Sequence, residues 1–121
     1  MLNHMHVPMT REMHGCIENC LNCHSICLAT VQHCLGMGGQ HASPEHITLL
    51  LDCAEICQTS ANFMLRNSTL HSRTCGICAE VCQLCAEDCE AIGSDDPQMR
   101  DCADMCRQCA RSCREMAQMT A

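Results

Sequence analysis

Residues 16–27 read CIENCLNCHSIC, a stretch in which cysteines follow one another at intervals of four, three and four residues. The same spacing returns twice, so that the three copies hold twelve of the sixteen cysteines. At about 100° per residue, such intervals keep side chains within an arc of roughly 60° on one helix face. The stretch therefore predicts helices that each carry a stripe of thiols. The later copies are Cys78, Cys82, Cys85, Cys89 and Cys102, Cys106, Cys109, Cys113.

A fourth, weaker copy begins at Cys53 and Cys57, where the third and fourth positions are Ser60 and Met64. A shift of 62 residues places the first stripe on the third, and a shift of 49 places Cys53 and Cys57 on Cys102 and Cys106. This pattern is typical of a duplicated helical hairpin.

Turn and capping residues divide the chain into four segments. Ser43-Pro44 and Asp96-Pro97 are typical helix starts, and Asn67-Ser68-Thr69 supplies a further turn and cap. Glycines end the first segment, and Gly93 ends the third. We expect a flexible tail over 1–10, then helices over about 11–35, 44–66, 69–92 and 97–117. Short turns between helices of this length predict one all-α domain over 11–121, an up-down-up-down four-helix bundle with a cysteine-lined core.

The composition excludes several classes of function. The chain has no Lys, Trp or Tyr, a single Phe and a net charge of −7, so it lacks the basic patches and aromatic platforms of nucleic-acid binding. No apolar run approaches the length of a membrane span, and the N-terminus lacks the apolar region of a signal peptide. No nucleophile, base and orienting group form a catalytic pattern. We expect a cytoplasmic protein with reduced thiols that is not an enzyme.

The thiol stripes predict the binding of soft metal ions. Thiolates select Cu(I), Zn²⁺ and iron–sulfur clusters, and thiols three or four residues apart on a helix suit sites of low coordination number, which Cu(I) accepts. With thiolates that bridge two ions, the core has room for roughly one Cu(I) per cysteine. Three alternatives remain: a metallothionein-like Zn²⁺ buffer, an iron–sulfur protein and a dithiol redox protein. The spacings of known ferredoxins are absent.

The four segments CIENCLNCHSIC, LDCAEIC, CAEVCQLCAEDC and CADMCRQCARSC resemble the bacterial cytosolic copper storage proteins. The resemblance covers 16–113 and implies a homotetramer that binds many Cu(I) ions and protects against copper toxicity. A copper chaperone or exporter is the expected exchange partner. Two positions depart from the pattern. Thr30 stands where relatives often have another cysteine. In the turn before the fourth helix, relatives often carry histidine and cysteine, whereas here Met99 is the only soft ligand.

We expect the metal ligands to be all the cysteines together with His46 and Met99. Copper is expected to enter the bundle at the end where Cys34, Cys89, Met99 and Cys102 meet, with His46 and, less favoured, His41 taking part. No role is assigned to His14, His24, His33 or His71. The cysteine ligands are Cys16, Cys20, Cys23, Cys27, Cys34, Cys53, Cys57, Cys75, Cys78, Cys82, Cys85, Cys89, Cys102, Cys106, Cys109 and Cys113.

A second apolar face runs along each of the first two helices. It favours contact between copies of the chain, and ordinary packing inside the bundle is an equal alternative. The residues of this face are Ile17, Leu21, Leu28 and Leu35 in the first helix and Ile47, Leu51, Ala54, Ala61 and Leu65 in the second.

Overall fold

The computed structural model describes residues 9–119, which form four α-helices and no strand. The helices are α1 (Arg11–Met37), α2 (Pro44–Leu65), α3 (His71–Gly93) and α4 (Pro97–Gln118), and a 3₁₀ turn spans Gly39–Ala42. The all-α class is confirmed. Most of the tail predicted over 1–10 lies outside the described residues. Within residues 9–119, no helix is both long and apolar enough to span a membrane.

The helices pack as a square in the predicted up-down-up-down order. Consecutive helices are in contact, and α4 closes the square against α1. The backbones of the diagonal pairs, α1 with α3 and α2 with α4, do not come within 8 Å at any described Cα atoms. The space along the axis is therefore left to side chains.

Three helices begin with a side-chain cap. Thr10 Oγ1 accepts a hydrogen bond from Met13 N at 3.1 Å, and Ser43 Oγ accepts one from His46 N at 3.3 Å. Asp96 Oδ1 accepts from the backbone nitrogens of Gln98 and Met99, at 2.9 Å and 3.3 Å. Each cap satisfies a free N–H group and contributes about 1 kcal/mol.

The third helix begins two residues later than the approximate start predicted from the sequence. The helix begins at His71, and its N-cap residue, Leu70, makes no side-chain capping bond. The reason lies in the turn: Asn67 adopts a φ of +53°, and Ser68 N donates to Phe63 O at 2.9 Å. The Ser68 hydroxyl accepts from Leu70 N at 3.1 Å, so it stabilises the turn and not the helix.

The first helix is two residues longer than predicted. It continues through Gly36 to Met37 and ends at Gly38, whose φ of +73° is favourable for glycine. Gly38 N donates to Cys34 O at 3.2 Å and so satisfies a carbonyl of the last turn.

The second apolar face is divided between the interior and the surface. Ile17, Ala54 and Ala61 are at most 5% exposed and pack inside the bundle, as the alternative interpretation expected. Four leucines of the same face are exposed by 44% to 55% of their area. We call them the α1–α2 leucine face: Leu28, Leu35, Leu51 and Leu65.

Candidate metal centre

The interior of the bundle is a column of thiols. All sixteen cysteines are free and completely buried, with 0% exposure. Alanines such as Ala86, Ala103 and Ala110 flank them, and this allows the helices to approach closely. The predicted stripes therefore all face one axis, and we refer to these sulfur atoms as the thiol column.

Most sulfur contacts within the column join different helices. Cys20 Sγ lies 3.5 Å from Cys113 Sγ, and Cys53 Sγ lies 3.6 Å from Cys82 Sγ. Contacts along a single helix are fewer, for example 3.8 Å between the sulfurs of Cys78 and Cys82. A metal ion in the column is thus offered ligands from several helices at once.

Sulfur atoms also meet across the diagonals of the square, where the backbones do not. Cys23 Sγ on α1 lies 4.0 Å from Cys82 Sγ on α3. On the other diagonal, Cys53 Sγ and Cys106 Sγ are 3.9 Å apart. The column is therefore continuous through the centre of the bundle and is not a set of separate pairs.

The cysteines form overlapping four-membered groups whose sulfur atoms lie within 4.8 Å of one another. With metal–sulfur bonds of about 2.3 Å, two thiolates on one ion are about 4.0 Å apart in a trigonal site and about 4.6 Å apart in a linear site. The observed spacings therefore match metal binding with little rearrangement. Cys23 and Cys53 belong to at least two groups each, as do Cys57 and Cys82, so neighbouring sites share ligands.

Hydrogen bonds between thiols make the cysteines unequal in acidity. Hydrogen bonding with Cys113 lowers the pKa of the Cys16 thiol, and burial opposes this shift. Hydrogen bonding with Cys102 raises the pKa of the Cys27 thiol, and burial adds to the rise. A metal ion that binds in the column displaces the protons that its thiol ligands still carry.

One end of the column carries mixed ligands. Cys34 Sγ lies 3.4 Å from His46 Nε2 and donates to Met99 Sδ at 3.5 Å. His46 is 1% exposed and Met99 is fully buried. The structure thus brings both predicted non-cysteine ligands to Cys34, and we call these three residues the intake end.

The carboxylate of Asp88 orients the His46 ring. His46 Nδ1 lies 2.7 Å from Asp88 Oδ2, whose side chain is 35% exposed. With its proton on Nδ1, the imidazole presents the Nε2 lone pair to Cys34. Asp88 could not be identified from the sequence, because its place beside Cys89 in the stripe shows only that it lies off the thiol face.

The Cys34 thiol is harder to ionise than a free cysteine. Burial raises its pKa from 9.0 to about 11, and the negative charge of Asp96 adds to the rise. Gly93 keeps this end closely packed: a Cβ atom there would lie 2.8 Å from Met99 Cγ.

The other histidines lie elsewhere. His41 does not reach Cys34; its Nε2 lies 3.4 Å from Asp96 Oδ2, and His33 Nε2 lies 2.6 Å from the same oxygen. His24 Nδ1 lies 2.7 Å from the carbonyl oxygen of Ala54 and links α1 to α2. The pairing of His33 with Asp96 joins residues far apart in the sequence, and no local motif indicates it.

Two polar residues interrupt the column. Thr30 is fully buried, donates to Ile26 O at 2.7 Å and accepts from Gln98 Nε2 at 3.0 Å. Ser60 is also fully buried and donates to Cys75 Sγ at 3.6 Å. Both lie at positions where the stripe pattern would place a cysteine.

A sequence profile described as copper storage protein matches residues 9–118. The chain belongs to the copper storage protein family. Solved structures of other proteins resemble this chain both in sequence and in fold. The Nmul_A1745 protein from Nitrosospira multiformis is 44% identical, with a TM-score of 0.82, over 88% of this chain and 95% of its own.

Two other solved relatives carry copper. The Cu(I)-bound copper storage protein BsCsp3 from Bacillus is 32% identical with a TM-score of 0.81, over 88% of this chain and 99% of its own. A cytosolic copper storage protein from Streptomyces lividans, in a structure with five coppers, is 28% identical with a TM-score of 0.78. That match covers 91% of this chain and 95% of the Streptomyces chain.

Proposed function

We propose that this protein stores Cu(I) inside the bundle and so limits copper toxicity, with cysteine thiolates as the main ligands. The observation that carries the proposal is the continuous thiol column, in which neighbouring four-cysteine groups share members. Shared ligands suit bridging thiolates, which allow roughly one Cu(I) per cysteine. Membership of the copper storage protein family and the Cu(I) bound by BsCsp3 support the same function.

Zinc fits the column less well than Cu(I). Zn²⁺ prefers four ligands in a separate tetrahedron. Three of the groups share no cysteine and are sites that separate zinc ions would use, which leaves the overlap between neighbouring groups unused. Those groups are Cys20, Cys78, Cys109, Cys113; Cys23, Cys53, Cys57, Cys82; and Cys27, Cys85, Cys102, Cys106.

Redox functions are also disfavoured by the packing. An iron–sulfur cluster brings inorganic sulfide, and sulfur atoms in contact at 3.5 Å to 4.0 Å leave no room for it without expansion of the core. A dithiol that reacts with other proteins needs a partly exposed thiol of lowered pKa, and every cysteine here is fully buried.

Copper enters, in our proposal, at the intake end formed by Cys34, His46 and Met99. This site offers one thiol and two neutral ligands, so the first ion displaces a single proton. In the column, by contrast, each ion is held by thiolates alone. A weaker, mixed site at the end of the column suits the transfer of ions from a donor to the store.

We also propose that the protein is a cytosolic homotetramer. The α1–α2 leucine face supports this, because four exposed leucines on two adjacent helices are an apolar surface of the kind that subunit contacts cover. A copper chaperone or exporter is the expected exchange partner. Nucleic acid and membranes are not expected, given the net charge of −7 and the absence of Lys.

The test of the storage function is an anaerobic titration of the reduced protein with Cu(I), in competition with a strong Cu(I) chelator. Thiolate-to-copper charge-transfer absorbance should rise until about one Cu(I) per cysteine is bound. A parallel titration with Zn²⁺ should saturate at about three or four ions. Saturation with only a few Cu(I), or loss of bound Cu(I) to excess Zn²⁺, would contradict storage.

A further inference from the structure

A second group of side chains that carry nitrogen and oxygen donor atoms lies outside the thiol column, at the rim of the bundle. Asp96 Oδ2 is 2.6 Å from His33 Nε2 and 3.4 Å from His41 Nε2. The three residues come from α1, the 3₁₀ turn and the start of α4. We call them the rim cluster.

The rim cluster has a carboxylate whose position is fixed in advance. Asp96 Oδ1 is occupied by the cap of α4, where it accepts from the backbone nitrogens of Gln98 and Met99. Oδ2 is therefore held between the two imidazoles. The hydrogen bond from His33 also lowers the pKa of Asp96, so the carboxylate is ionised at neutral pH.

The Nε2 atom of His41 is a buried polar atom whose hydrogen-bonding capacity is not satisfied. Nε2 is inaccessible to solvent and has no hydrogen-bond partner among the described residues, although it faces Asp96. Buried polar atoms are rarely left unpaired, so an unpaired one needs an explanation. A cation between the imidazoles and the carboxylate would supply the missing partner.

We propose that His33, His41 and Asp96 bind a divalent first-row metal ion of the Zn²⁺ class. Two nitrogens and one carboxylate oxygen suit Zn²⁺, Co²⁺ and Ni²⁺, whereas Cu(I) prefers the sulfur ligands of the column. The proposal goes beyond copper storage, because it assigns a different ion to a different site.

The distances in the rim cluster are close to those that such an ion requires. With metal–ligand bonds of about 2.0–2.1 Å, neighbouring ligand atoms lie about 2.9–3.4 Å apart. The separation of 3.4 Å at His41 already fits, and the 2.6 Å at His33 widens when the metal replaces the shared proton. The two ring centroids, 6.2 Å apart, move closer on binding, and the 31% exposed side chain of His33 is free to turn.

An open cavity of about 500 Å³ leads to these ligands, and Met37 and Pro97 form part of its wall. The ion can therefore reach the rim cluster without passing through the thiol column. Once bound, it links the end of α1 and the 3₁₀ turn to the start of α4, which carries Met99. The rim ion stabilises the arrangement of the intake end.

The test uses Co²⁺ with protein already saturated with Cu(I). Co²⁺ does not displace Cu(I) from thiolates, so the loaded column is closed to it. We expect about one Co²⁺ per chain, with d–d absorption of a nitrogen and oxygen site and no thiolate-to-cobalt charge-transfer band. A column that takes up no Cu(I) is detected in the loading step, so failure of copper storage is distinguished from failure of the rim site.

Variants identify the ligands. His33→Ala, His41→Ala and Asp96→Asn should each weaken Co²⁺ binding at least tenfold, and Asn retains an oxygen for the cap of α4. The matched control is His14→Ala, because His14 is an exposed histidine on α1, the helix that carries His33. Zn²⁺ should raise the melting temperature of the loaded wild type and of His14→Ala, but not that of Asp96→Asn. If no Co²⁺ binds, or if the three variants bind it as the wild type does, the proposal is overturned.

Discussion

His46 bridges the surface and the thiol column, with Nδ1 at 2.7 Å from Asp88 Oδ2 and Nε2 at 3.4 Å from Cys34 Sγ. A carboxylate that holds the second nitrogen of a ligating imidazole fixes its tautomer and raises its basicity. The intake end therefore depends on a residue that touches no sulfur.

Replacing Asp88 should weaken the intake end without changing the capacity of the column. In Asp88→Asn, His46 loses a charged acceptor, and changes of this kind typically lower metal affinity by about 10-fold to 100-fold. We expect slower uptake of Cu(I) from a chelate, measured by stopped-flow absorbance, with the final Cu(I) count unchanged. Asp104→Asn, an exposed aspartate on α4, is the control. Equal uptake rates in the two variants would show that Asp88 takes no part in copper entry.

The soft ligands of the intake end should govern the rate of loading. Met99→Leu removes the thioether and keeps a side chain of similar volume, so we expect the fold to remain stable. Stopped-flow uptake from a Cu(I) chelate should slow in this variant and slow further when His46→Ala is added, while the final Cu(I) count stays unchanged. Uptake at the wild-type rate in the double variant would show that copper enters elsewhere.

The column should accept an added ligand at Thr30. This residue is fully buried in the stripe between Cys27 and Cys34, so Thr30→Cys continues the thiol column. We expect the capacity to rise by about one Cu(I), and loss of the hydroxyl hydrogen bonds to lower the free energy of unfolding of the apo-protein by about 1 kcal/mol. Ser25→Cys places a thiol on the exposed side of the same helix and should add no ion that survives chelator competition. An equal gain in bound Cu(I) in both variants would show that the capacity does not depend on whether the added thiol faces the thiol column.

Copper loading should strengthen as the pH rises. The pKa of Cys34 is about 11, so this thiol is protonated near pH 7 and the metal must displace its proton. For each proton released, the apparent Cu(I) affinity rises about tenfold per pH unit below that pKa. Chelator competition between pH 6 and pH 8 measures the slope, and a pH indicator in weak buffer counts the protons. An affinity that does not change with pH would mean that the thiols are ionised before copper arrives.

The α1–α2 leucine face should determine the oligomeric state. Leu28→Glu together with Leu51→Glu places charges on an apolar surface, and we expect tetramers to dissociate while the Cu(I) capacity is kept. Light scattering coupled to gel filtration measures the mass. Leu84→Glu is the control, because Leu84 is 48% exposed on α3, away from this face. A wild-type monomer at micromolar concentration would contradict the tetramer itself.

The sequence predicts the bundle and its sulfur core well, because both follow from local periodicity. Intervals of three and four orient every stripe, and the caps Ser43 and Asp96 start α2 and α4 where expected. The start of α3 is missed because Ser68 has two possible uses, a helix cap or a turn, and only the path of the chain decides between them.

Contacts between polar groups on different helices could not be predicted in the same way. The pairing of Asp88 with His46, and that of His33 with Asp96, depends on the rotation and relative height of helices that are far apart in the sequence. The spacing of residues within one helix does not reveal how that helix is rotated or shifted relative to its neighbours. The candidate ligands were therefore accessible from the sequence, whereas the residues that orient them required the structure.

The sulfur contacts across both diagonals of the square have a consequence for the release of copper. Cu(I) bound there ties all four helices together, so a filled bundle cannot unfold without breaking metal–thiolate bonds along its whole length. Since an ion bound only by the folded state stabilises that state, each added Cu(I) makes wholesale opening rarer. A fully loaded bundle therefore resists the unfolding that would release all of its copper at once. A cell that needs the metal back must remove the ions one at a time from an end of the bundle.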